Sequence, residues 1–524
     1  MTPTLESVPE LLLGPVLRHV GRDTATVWVE TSEPCTVTVL GCTERTWTVA
    51  GHHYALVPVT GISGLTAYEV DLDGDRVWPL AGQPPSVIRS QEPGRALRIV
   101  FGSCRFATPT AVEMAGRYDA DALDAYARRL MTERPEQWPD ALLLLGDQVY
   151  ADDLSPQTLR RVAQRHDVTE PPGPQVRDFE EYTWLYRESW SDPEVRWLLS
   201  TVGSSMIFDD HDVHDDWNTS QAWVRDMAAT DWWDARLTAA LTSYWIYQHV
   251  GNLAPEVLAE DDLYQRIRGC DGDAEPILRA GVARLRWSYV RDLGATRLIM
   301  IDSRCGRVLD DDRRAILPDS EFDWLAAQSA GDYDHVLFGT SLPWLLPRPL
   351  QAWEARNERN AAGTRGPWRA RLAEKIRRAC DLEHWGAFAQ SFDRLTAMIA
   401  DIGARPHAPA TVCVLSGDVH HAYAARAVFP ESVRARVFQL TCSPMHNHIP
   451  DFMKVVFRVF WNDKVGKRFR HRDLDWRRIG GPYFGDQVAT LHLHGRRGRF
   501  VLERADTHDD GTGKLVRVAD LVLS

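Results

Sequence analysis

Hydrophobic and polar positions change their pattern near residue 92, which predicts two kinds of structure in one chain. Before this point, short runs rich in valine, threonine and tryptophan are separated by glycine, proline and aspartate, as in an all-β sandwich. Examples are ATVWVETS (25–32), CTVTVL (35–40) and TWTVAG (46–51). Residues 81–95 are rich in proline, glycine and serine and are predicted to be a linker. We therefore expect a β module of the fibronectin or immunoglobulin type over residues 1–92.

After residue 92, continuous apolar runs alternate with helix-like segments, which predicts an α/β domain over residues 93–524. Such runs are typical of strands that are buried on both faces of a sheet. They are LRIVFGSCR (97–105), ALLLLGDQVY (141–150), SMIFDDHD (205–212), RLIMIDSR (297–304), HVLFGTSLPW (335–344), TVCVLSGDVHH (411–421) and VFQLTCSP (437–444). Helices are predicted between the runs, for instance at 121–133 and 322–330, and a hairpin is predicted at 489–505.

Three long insertions separate the apolar runs, at about 155–200, 215–290 and 350–400. They contain many tryptophans, most of which are expected to lie in the core of a helical cap. A basic segment at 454–478 has nine Lys or Arg residues and three Asp residues. The favoured interpretation of this segment is a solvated helix face. Attraction of an anionic substrate or a membrane surface is the alternative.

Composition limits the class of protein. Of the 524 residues, 44% are hydrophobic and 25% are charged, which excludes a disordered or collagen-like chain. The formal net charge of −13 argues against a general nucleic-acid binder. The N-terminal stretch has no basic region or twin-arginine pair, and no apolar stretch is long enough to span a bilayer. The eight scattered cysteines fit reduced thiols, so we expect a cytoplasmic protein.

Side chains that bind metals follow four of the apolar runs. These side chains are Cys104, Asp147, Tyr150, Asp209, Asp210, His211, Asp212, Asp418, His420 and His421. Ligands of open α/β sheets bind beyond the carboxyl ends of the strands, which is where these residues fall. Thiolate, carboxylate, phenolate and imidazole groups are the protein ligands of transition metals. One aspartate after a strand is common in a turn, but four such strand ends together predict a metal site.

The motifs SCR, GDQVYADD, DDHDVHDDW, IDSRCGR and SGDVHHA occur in this order after the N-terminal β module. In these motifs the chain resembles the PhoD-like phosphatases (alkaline phosphatase D) of the calcineurin-like metallophosphoesterase superfamily, over essentially its whole length. The resemblance implies a four-layer α/β/β/α fold with a binuclear metal site. It also implies the hydrolysis of phosphate esters, with the choice between monoesters and diesters left open.

The resemblance also implies a role for each strand-end residue. Six of them match metal ligands of the superfamily: Cys104, Asp147, Tyr150, Asp210, Asp418 and His420. Asp147 would bridge two metals, one held with the thiolate, phenolate and imidazole and the other with the two remaining carboxylates. The first set has three anionic donors, which suits ferric iron, whereas the second is all oxygen and suits Ca²⁺ or Mg²⁺. The resemblance implies iron with calcium, and Mn²⁺ would also fit the oxygen-rich site.

Two further residues are predicted to be catalytic. His211 takes the place of the superfamily histidine that assists the leaving group, and Arg105 would bind a phosphate oxygen. The alternative for Arg105 is a structural salt bridge. Arg304 and Arg307 of IDSRCGR are expected to be structural or to support the ligands. His446 and His448, beyond the last of the apolar runs, are expected on a surface loop, with a position at the mouth of the site as the alternative.

Two functional hypotheses follow from the sequence. The first is a metal-dependent phosphomonoesterase or phosphodiesterase, in which a metal-activated hydroxide attacks phosphorus of a small-molecule or phosphodiester substrate. The second is a non-catalytic binding protein that keeps the same fold. None of the six ligand positions holds an apolar residue, which favours the enzyme. A zinc hydrolase of another fold would need an HExxH motif, which the sequence lacks.

Overall fold

Strands form the N-terminal part of the chain, and helices and strands are interspersed after it, in the computed structural model, which describes residues 8–107, 119–310, 313–363, 365–429, 432–462, 474–507 and 513–524. The strands are β1 (Leu11–Val20), β2 (Thr24–Thr31), β3 (Thr36–Val39), β4 (Cys42–Arg45), β5 (Trp47–Val49), β6 (His52–Thr60), β7 (Leu65–Ala67), β8 (Val70–Leu72), β9 (Asp75–Trp78), β10 (Val87–Arg89), β11 (Leu97–Gly102), β12 (Ala141–Leu145), β13 (Ser204–Ile207), β14 (Tyr289–Leu293), β15 (Thr296–Ile301), β16 (Val308–Asp310), β17 (Arg313–Ala315), β18 (His335–Thr340), β19 (Thr411–Ser416), β20 (Ala422–Val428), β21 (Arg436–Thr441), β22 (Asp475–Tyr483), β23 (Gln487–His494), β24 (Arg497–Thr507) and β25 (Gly513–Val522). The α-helices are α1 (Ala122–Thr132), α2 (Pro156–Arg165), α3 (Phe179–Trp190), α4 (Pro193–Thr201), α5 (Gln221–Ala228), α6 (Trp233–Tyr244), α7 (Pro255–Glu260), α8 (Asp262–Arg268), α9 (Glu275–Gly281), α10 (Asp319–Gln328), α11 (Arg348–Ala361), α12 (Pro367–Ala379), α13 (Ala389–Ala404) and α14 (Asp451–Phe460).

The N-terminal module is a β-sandwich, and its three predicted strands are confirmed as β2, β3 and β5. Two four-stranded sheets form it, in the orders β1-β2-β6-β5 and β4-β3-β8-β9. Successive side chains of β2 point to opposite faces of its sheet, which explains how the strand packs. Val27 and Val29 lie in the core between the two sheets, whereas Trp28 points the other way and meets Trp190 of α3 edge-on at 6.3 Å. The module is therefore packed against the helices that follow it.

Arg18 of β1 ties the N-terminal module to the next domain. Its side chain is fully buried. Its guanidinium donates hydrogen bonds to Ser204 Oγ of β13 and to Asn252 Oδ1, both at 3.0 Å. The connection from β10 to β11 contains the predicted domain boundary near residue 92, which stays a prediction.

Two larger sheets form the rest of the molecule. One has six strands in the order β13-β12-β11-β23-β24-β25, and the other has seven in the order β14-β15-β18-β19-β21-β20-β22. The neighbours β11, β12 and β13 are parallel, as are β15, β18, β19 and β21. All seven apolar runs of the sequence are confirmed as strands of these sheets. The predicted helices α1 and α10 and the hairpin of β23 and β24 are confirmed as well.

The two sheets stack face to face between layers of helices. Along β15, Leu298 and Met300 lie in the core that the two sheets share, whereas Ile299 and Ile301 point outward. The outward pair shares a core with the apolar faces of α10 and α13. On the opposite side, α1 covers β23, β24 and β25. The predicted four-layer α/β/β/α order is therefore confirmed.

The three insertions are helical, as predicted, and contain α2–α4, α5–α9 and α11–α13. Five of the six tryptophans of the second insertion are buried, and Trp232 is half-buried. The basic segment at 454–478 is divided among α14, β22 and residues 463–473, which lie outside the described residues. No helix within the described ranges combines the length and apolarity needed to cross a membrane.

The sheets approach closely where Gly417 follows β19. A Cβ atom at Gly417 would lie 1.9 Å from Ser103 Oγ and 2.3 Å from Ser103 Cβ, so this position has no space for a side chain. We predict that Gly417→Ala lowers the free energy of unfolding by about 1–3 kcal/mol because it forces the two strand ends apart. Thermal and denaturant unfolding would measure the effect.

Gly272→Ala is the control for this substitution. A Cβ atom at Gly272 would meet nothing within 4 Å, so its effect should stay within about 0.5 kcal/mol. Equal stability of the Gly417→Ala variant and the wild type would show that the sheet ends can separate without cost.

Candidate metal centre

The candidate ligands lie at the facing carboxyl ends of the two sheets. Cys104, Asp147 and Asp209 follow β11, β12 and β13 of the six-stranded sheet, and Asp418 follows β19 of the other. The backbones of Cys104, Asp147, Asp418 and His420 all have positive φ angles, between 47° and 66°. Residues other than glycine adopt this region only at a cost, and such residues cluster at functional sites.

Asp212 holds the loops of two strand ends together. Its carboxylate accepts hydrogen bonds from the backbone N–H groups of Asp147 at 3.0 Å and Gln148 at 3.2 Å, and from those of Val149 at 3.3 Å and Asp209 at 2.9 Å. Burial raises the pKa of Asp212 to about 7, against the opposing effect of these donors. Because its oxygens face backbone donors, Asp212 positions the neighbouring aspartates.

Three buried carboxylates meet at the centre of this region. Oxygen atoms of Asp147, Asp209 and Asp210 all lie within 4.8 Å of one another. Asp147 Oδ1 and Asp209 Oδ2 are buried and have no hydrogen-bond partner in the part of the chain that the structure describes. Burial, together with the neighbouring carboxylates, raises the pKa of both Asp147 and Asp209 well above the usual range. Unmatched buried acceptors of this kind fit a bound cation.

Arg304 places a positive charge among these carboxylates. Its side chain is fully buried after β15, and its Nε donates to Asp209 Oδ1 at 2.5 Å. Its terminal nitrogens lie 3.1 Å from Asp210, 2.5 Å from Glu383 and 3.8 Å from Asp418. Burial alone would lower the pKa of Arg304, but the surrounding carboxylates raise it. Arg304 therefore joins the ends of the two sheets, in agreement with the supporting role expected from the sequence.

Asp418 is held by a chain of residues that sequence reasoning missed. His384 Nε2 lies 2.9 Å from Asp418 Oδ2, and His384 Nδ1 lies 2.7 Å from Glu354 Oε1 of α11. Burial raises the pKa of an isolated carboxyl, yet the contacts of Asp418 with His384 and Arg304 lower its pKa below the usual range. Gly386 gives Glu354 its space, since a Cβ atom there would lie 2.4 Å from Glu354 Oε2.

Cys104 and Tyr150 lie near Asp147. Cys104 Sγ is 3.2 Å from Ser103 Oγ, and the Tyr150 hydroxyl accepts a hydrogen bond from Asn447 Nδ2 at 2.8 Å. Burial and then the Asp147 carboxylate raise the pKa of both Cys104 and Tyr150 well above their usual values. Without a cation both groups are therefore neutral.

His211 is held at the edge of the carboxylate cluster. Its Nδ1 lies 2.9 Å from Asp152 Oδ1, and its ring lies 5.0 Å from that of Tyr150. Burial would lower the pKa of His211, but Asp152 and its acidic neighbours raise it well above the usual value. The side chain is 27% exposed, so it can reach a ligand from solvent.

The histidines of GDVHH differ in their surroundings. His420 is half-buried, and burial lowers its pKa. His421 is fully buried, with its Nδ1 2.7 Å from the Val419 carbonyl oxygen. The Trp461 indole donates to its Nε2 at 3.1 Å, and the Phe457 ring stacks on it at 4.1 Å. These contacts occupy both nitrogens of His421, which fits a structural role.

Arg105 and His446 have hydrogen-bond partners away from the candidate ligands. Arg105 donates to Asp121 Oδ2 at 2.7 Å and to the Ser189 carbonyl oxygen at 2.6 Å, which is the salt-bridge alternative. Its predicted contact with phosphate stays a prediction. The surface-loop interpretation of His446 is wrong, because this side chain is buried against Phe106 and its Nδ1 contacts the Phe106 carbonyl oxygen. His448 is exposed, as expected.

The fold is a mixed α/β architecture with acidic residues gathered at the facing strand ends. A family model of the PhoD-like phosphatases matches residues 113–273, a range that includes Asp147 and Asp210. This match, over residues 113–273, confirms the resemblance to the PhoD-like phosphatases seen in the sequence motifs.

Other comparisons agree with this fold. The solved structure of PhoD has a TM-score of 0.62 at 12% sequence identity, and the match covers 99% of this chain and 91% of that one. Residues 8–90 match a model described as a domain of unknown function (DUF7800). Among curated proteins, none matches the chain.

The contacts of Glu354 generate a prediction about metal binding. Glu354→Gln keeps the size of the side chain but removes the charge that holds His384 against Asp418. We expect the affinity for a divalent metal to fall by about 10–100-fold, as when a group that orients a ligand is lost. Calorimetric titration of metal-free protein would measure it.

Glu358→Gln is the matched control, one turn further along α11. Glu358 accepts a hydrogen bond from the Ala389 N–H at 3.1 Å and does not contact His384. This variant should bind metal as the wild type does. An unchanged affinity in Glu354→Gln would contradict the proposed support of Asp418.

Proposed function

We propose that the protein is a metal-dependent hydrolase of phosphate esters, with its active site at the facing ends of the two sheets. The observation that carries this proposal is the group of Asp147, Asp209 and Asp210, whose buried oxygens converge within 4.8 Å. The group lies in a PhoD-like phosphatase domain. Carboxylates this close are stable together only with a cation or with protons between them.

The proposed centre is binuclear. Cys104, Asp147, Tyr150 and His420 would hold one metal, and the first three already interact electrostatically in the structure. Asp147 would share a second metal with Asp210 and Asp418 at the all-oxygen side. Thiolate and phenolate donors suit ferric iron, and the carboxylates suit Ca²⁺, Mg²⁺ or Mn²⁺. Asp209 is one of the strand-end side chains but not one of the six assigned ligands. One of its oxygens accepts a hydrogen bond from Arg304, and its other oxygen has no hydrogen-bond partner within the described residues.

When bound, the metals would neutralise the phosphoryl oxygens and lower the pKa of a water that attacks phosphorus. The protein would supply the leaving-group proton through His211. Asp152 holds Nδ1 of this ring, so Nε2 is left to donate to the ester oxygen as the P–O bond breaks. Arg304 would limit repulsion among the carboxylates. A phosphate-binding role for Arg105 would require its guanidinium to release Asp121.

The first test of this proposal is Asp147→Asn. We expect this change to reduce hydrolysis of an activated phosphate ester by more than the roughly 10–100-fold that loss of a supporting contact causes. The physical reason is that an amide oxygen is uncharged and would hold a metal ion more weakly than a carboxylate oxygen does. Turnover and bound metal would be measured on the same preparation.

Asp401→Asn, on the exposed side of α13, is the control and should behave as the wild type does. Full turnover in the Asp147→Asn variant would contradict the assignment of this centre as the active site. A wild type that binds metal yet hydrolyses no phosphate ester would favour the binding-protein alternative.

A second test concerns the metal beside Tyr150. If ferric iron binds there, the purified protein should show a tyrosinate-to-iron charge-transfer band in its visible spectrum. Tyr150→Phe should remove the band, because the ligand oxygen is lost. Tyr126→Phe is the control, since this buried tyrosine lies on α1 away from the candidate ligands. A band that persists in Tyr150→Phe would contradict the assignment of Tyr150.

A further inference from the structure

Exposed apolar side chains gather on three helices next to the candidate active site. The structure describes fourteen large apolar side chains as exposed, and eight of these are Val or Leu residues spread over the rest of the fold. The other six lie on α11, α12 and α14: Trp353, Trp368, Leu372, Phe452, Val455 and Val459. Packing of α11 against both α12 and α14 makes the three helices neighbours. Single exposed apolar residues are ordinary, but a concentration of this kind marks an interaction surface.

The clearest apolar stripe runs along α14. Phe452, Val455 and Val459 are 67%, 57% and 50% exposed. Their spacing of three and four residues places them on one face of the helix. The opposite face is anchored, because Phe457 is buried and stacks on the ring of His421. The stripe is therefore held toward solvent by the packing of the other face.

The helix α12 presents tryptophan and leucine among cations. Trp368 is 70% exposed and Leu372 is 44% exposed, and they lie one turn apart on the same face. Arg369, Arg371 and Lys375 are exposed around them. No contact of these three side chains with an acidic group is found within the described residues. The inner face of α12 packs on α11 through the hydrogen bond from Asn357 Nδ2 to the Ala373 carbonyl oxygen.

The helices α11, α12 and α14 carry a net positive charge, whereas the whole chain carries a net negative charge. The helices α11, α12 and α14 contain ten Lys or Arg residues and four Asp or Glu residues. The formal net charge of the chain is −13. Of the four acidic residues, Glu354 is buried toward His384, Glu374 pairs with Arg377, and Asp451 pairs with Lys454. Of the ten basic residues, Arg348 and Arg378 pair with acids of other elements, whereas Arg369, Arg371 and Lys375 are exposed. The solvent side of the three helices therefore favours an anionic partner.

We propose that α11, α12 and α14 dock the protein on an anionic lipid surface. Cations around exposed tryptophan, phenylalanine and aliphatic residues are typical of helices that lie in the membrane–water interface. The apolar side chains would enter the boundary of the acyl chains, and the arginines would meet the anionic headgroups. A soluble polyanion would explain the arginines but would leave the stripe of Phe452, Val455 and Val459 without a partner.

Docking would place the candidate site beside the lipid headgroups. Glu354 of α11 contacts His384, which contacts Asp418, so the same helix reaches the candidate ligands and the proposed interface. Binding to lipid does not require hydrolysis, so this inference can fail or hold apart from the proposed function.

Sedimentation with vesicles tests the docking surface. We expect the full chain to sediment with mixed phosphatidylglycerol–phosphatidylcholine vesicles and to stay in solution with pure phosphatidylcholine. The double variant Trp368→Ser/Phe452→Ser should bind at least about tenfold more weakly, because two large apolar side chains no longer leave water. Arg369→Glu/Arg371→Glu should bind more weakly as well, through repulsion from the headgroups.

Two controls distinguish a specific loss of vesicle binding from a general loss of folded protein. Val516→Ser/Val522→Ser removes exposed apolar side chains on β25 and should bind vesicles as the wild type does. Hydrolysis of a small soluble ester should be equal in all variants. The proposal is overturned if the wild type does not sediment, if it sediments equally with pure phosphatidylcholine, or if Trp368→Ser/Phe452→Ser binds normally. Tight binding to heparin without vesicle binding would assign the face to a soluble polyanion and would also overturn it.

Discussion

The guanidinium of Arg304, which follows β15 in one sheet, pairs with Asp209 and Asp210, which follow β13 in the other sheet. This buried ion pair holds the ends of the two sheets together at the candidate site. The adjacent strand ends lack space for side chains at Gly146 and Gly417, because a Cβ atom would lie 2.7 Å from Asp209 and 1.9 Å from Ser103. The sequence Gly-Asp after β12 and β19 thus combines two requirements, a close approach of backbones and a carboxylate directed into the gap.

The carboxyl groups in the gap need either protons or a further cation to balance their charge. Asp147, Asp209, Asp210 and Asp418 bring four carboxyl groups to one place, and Arg304 supplies a single positive charge to three of them. Burial makes proton uptake the alternative to cation binding, which is why the pKa values of Asp147 and Asp209 are raised. A resident cation would also set the local field, so the acidic surplus of the whole chain does not exclude an anionic substrate.

The parts of this site that could be predicted from the sequence are the ones encoded next to buried strands. Strands buried on both faces are mostly apolar, so Cys104, Asp147 and Asp418 are recognisable as the first side chains after each run that suit a metal ion. Glu354 and His384 could not be found in this way. They lie in an insertion whose helices are polar in sequence, and only the packing of α11 shows that Glu354 is on the buried face.

The surface-loop prediction for His446 is wrong for a related reason. Its partner, the carbonyl group of Phe106, is 340 residues away in the chain, and no local pattern reports such a contact. Arg105 illustrates the converse limit. Its place beside Cys104 is set by the sequence, but the direction of its guanidinium depends on Asp121 and Ser189, which lie on other elements.

The buried contact of Arg18 couples local unfolding of the N-terminal sandwich to that of β13. Arg18 belongs to the N-terminal sandwich, yet its hydrogen bond to Ser204 holds the first residue of β13, and the last residues of the same segment lead into Asp209 and Asp210. A strand fixed at one end by the sandwich and at the other by the carboxylates cannot fray from either side. We therefore expect the amide hydrogens of β1 and β13 to exchange with solvent as one cooperative unit, so that the sandwich supports the strand that leads to the site.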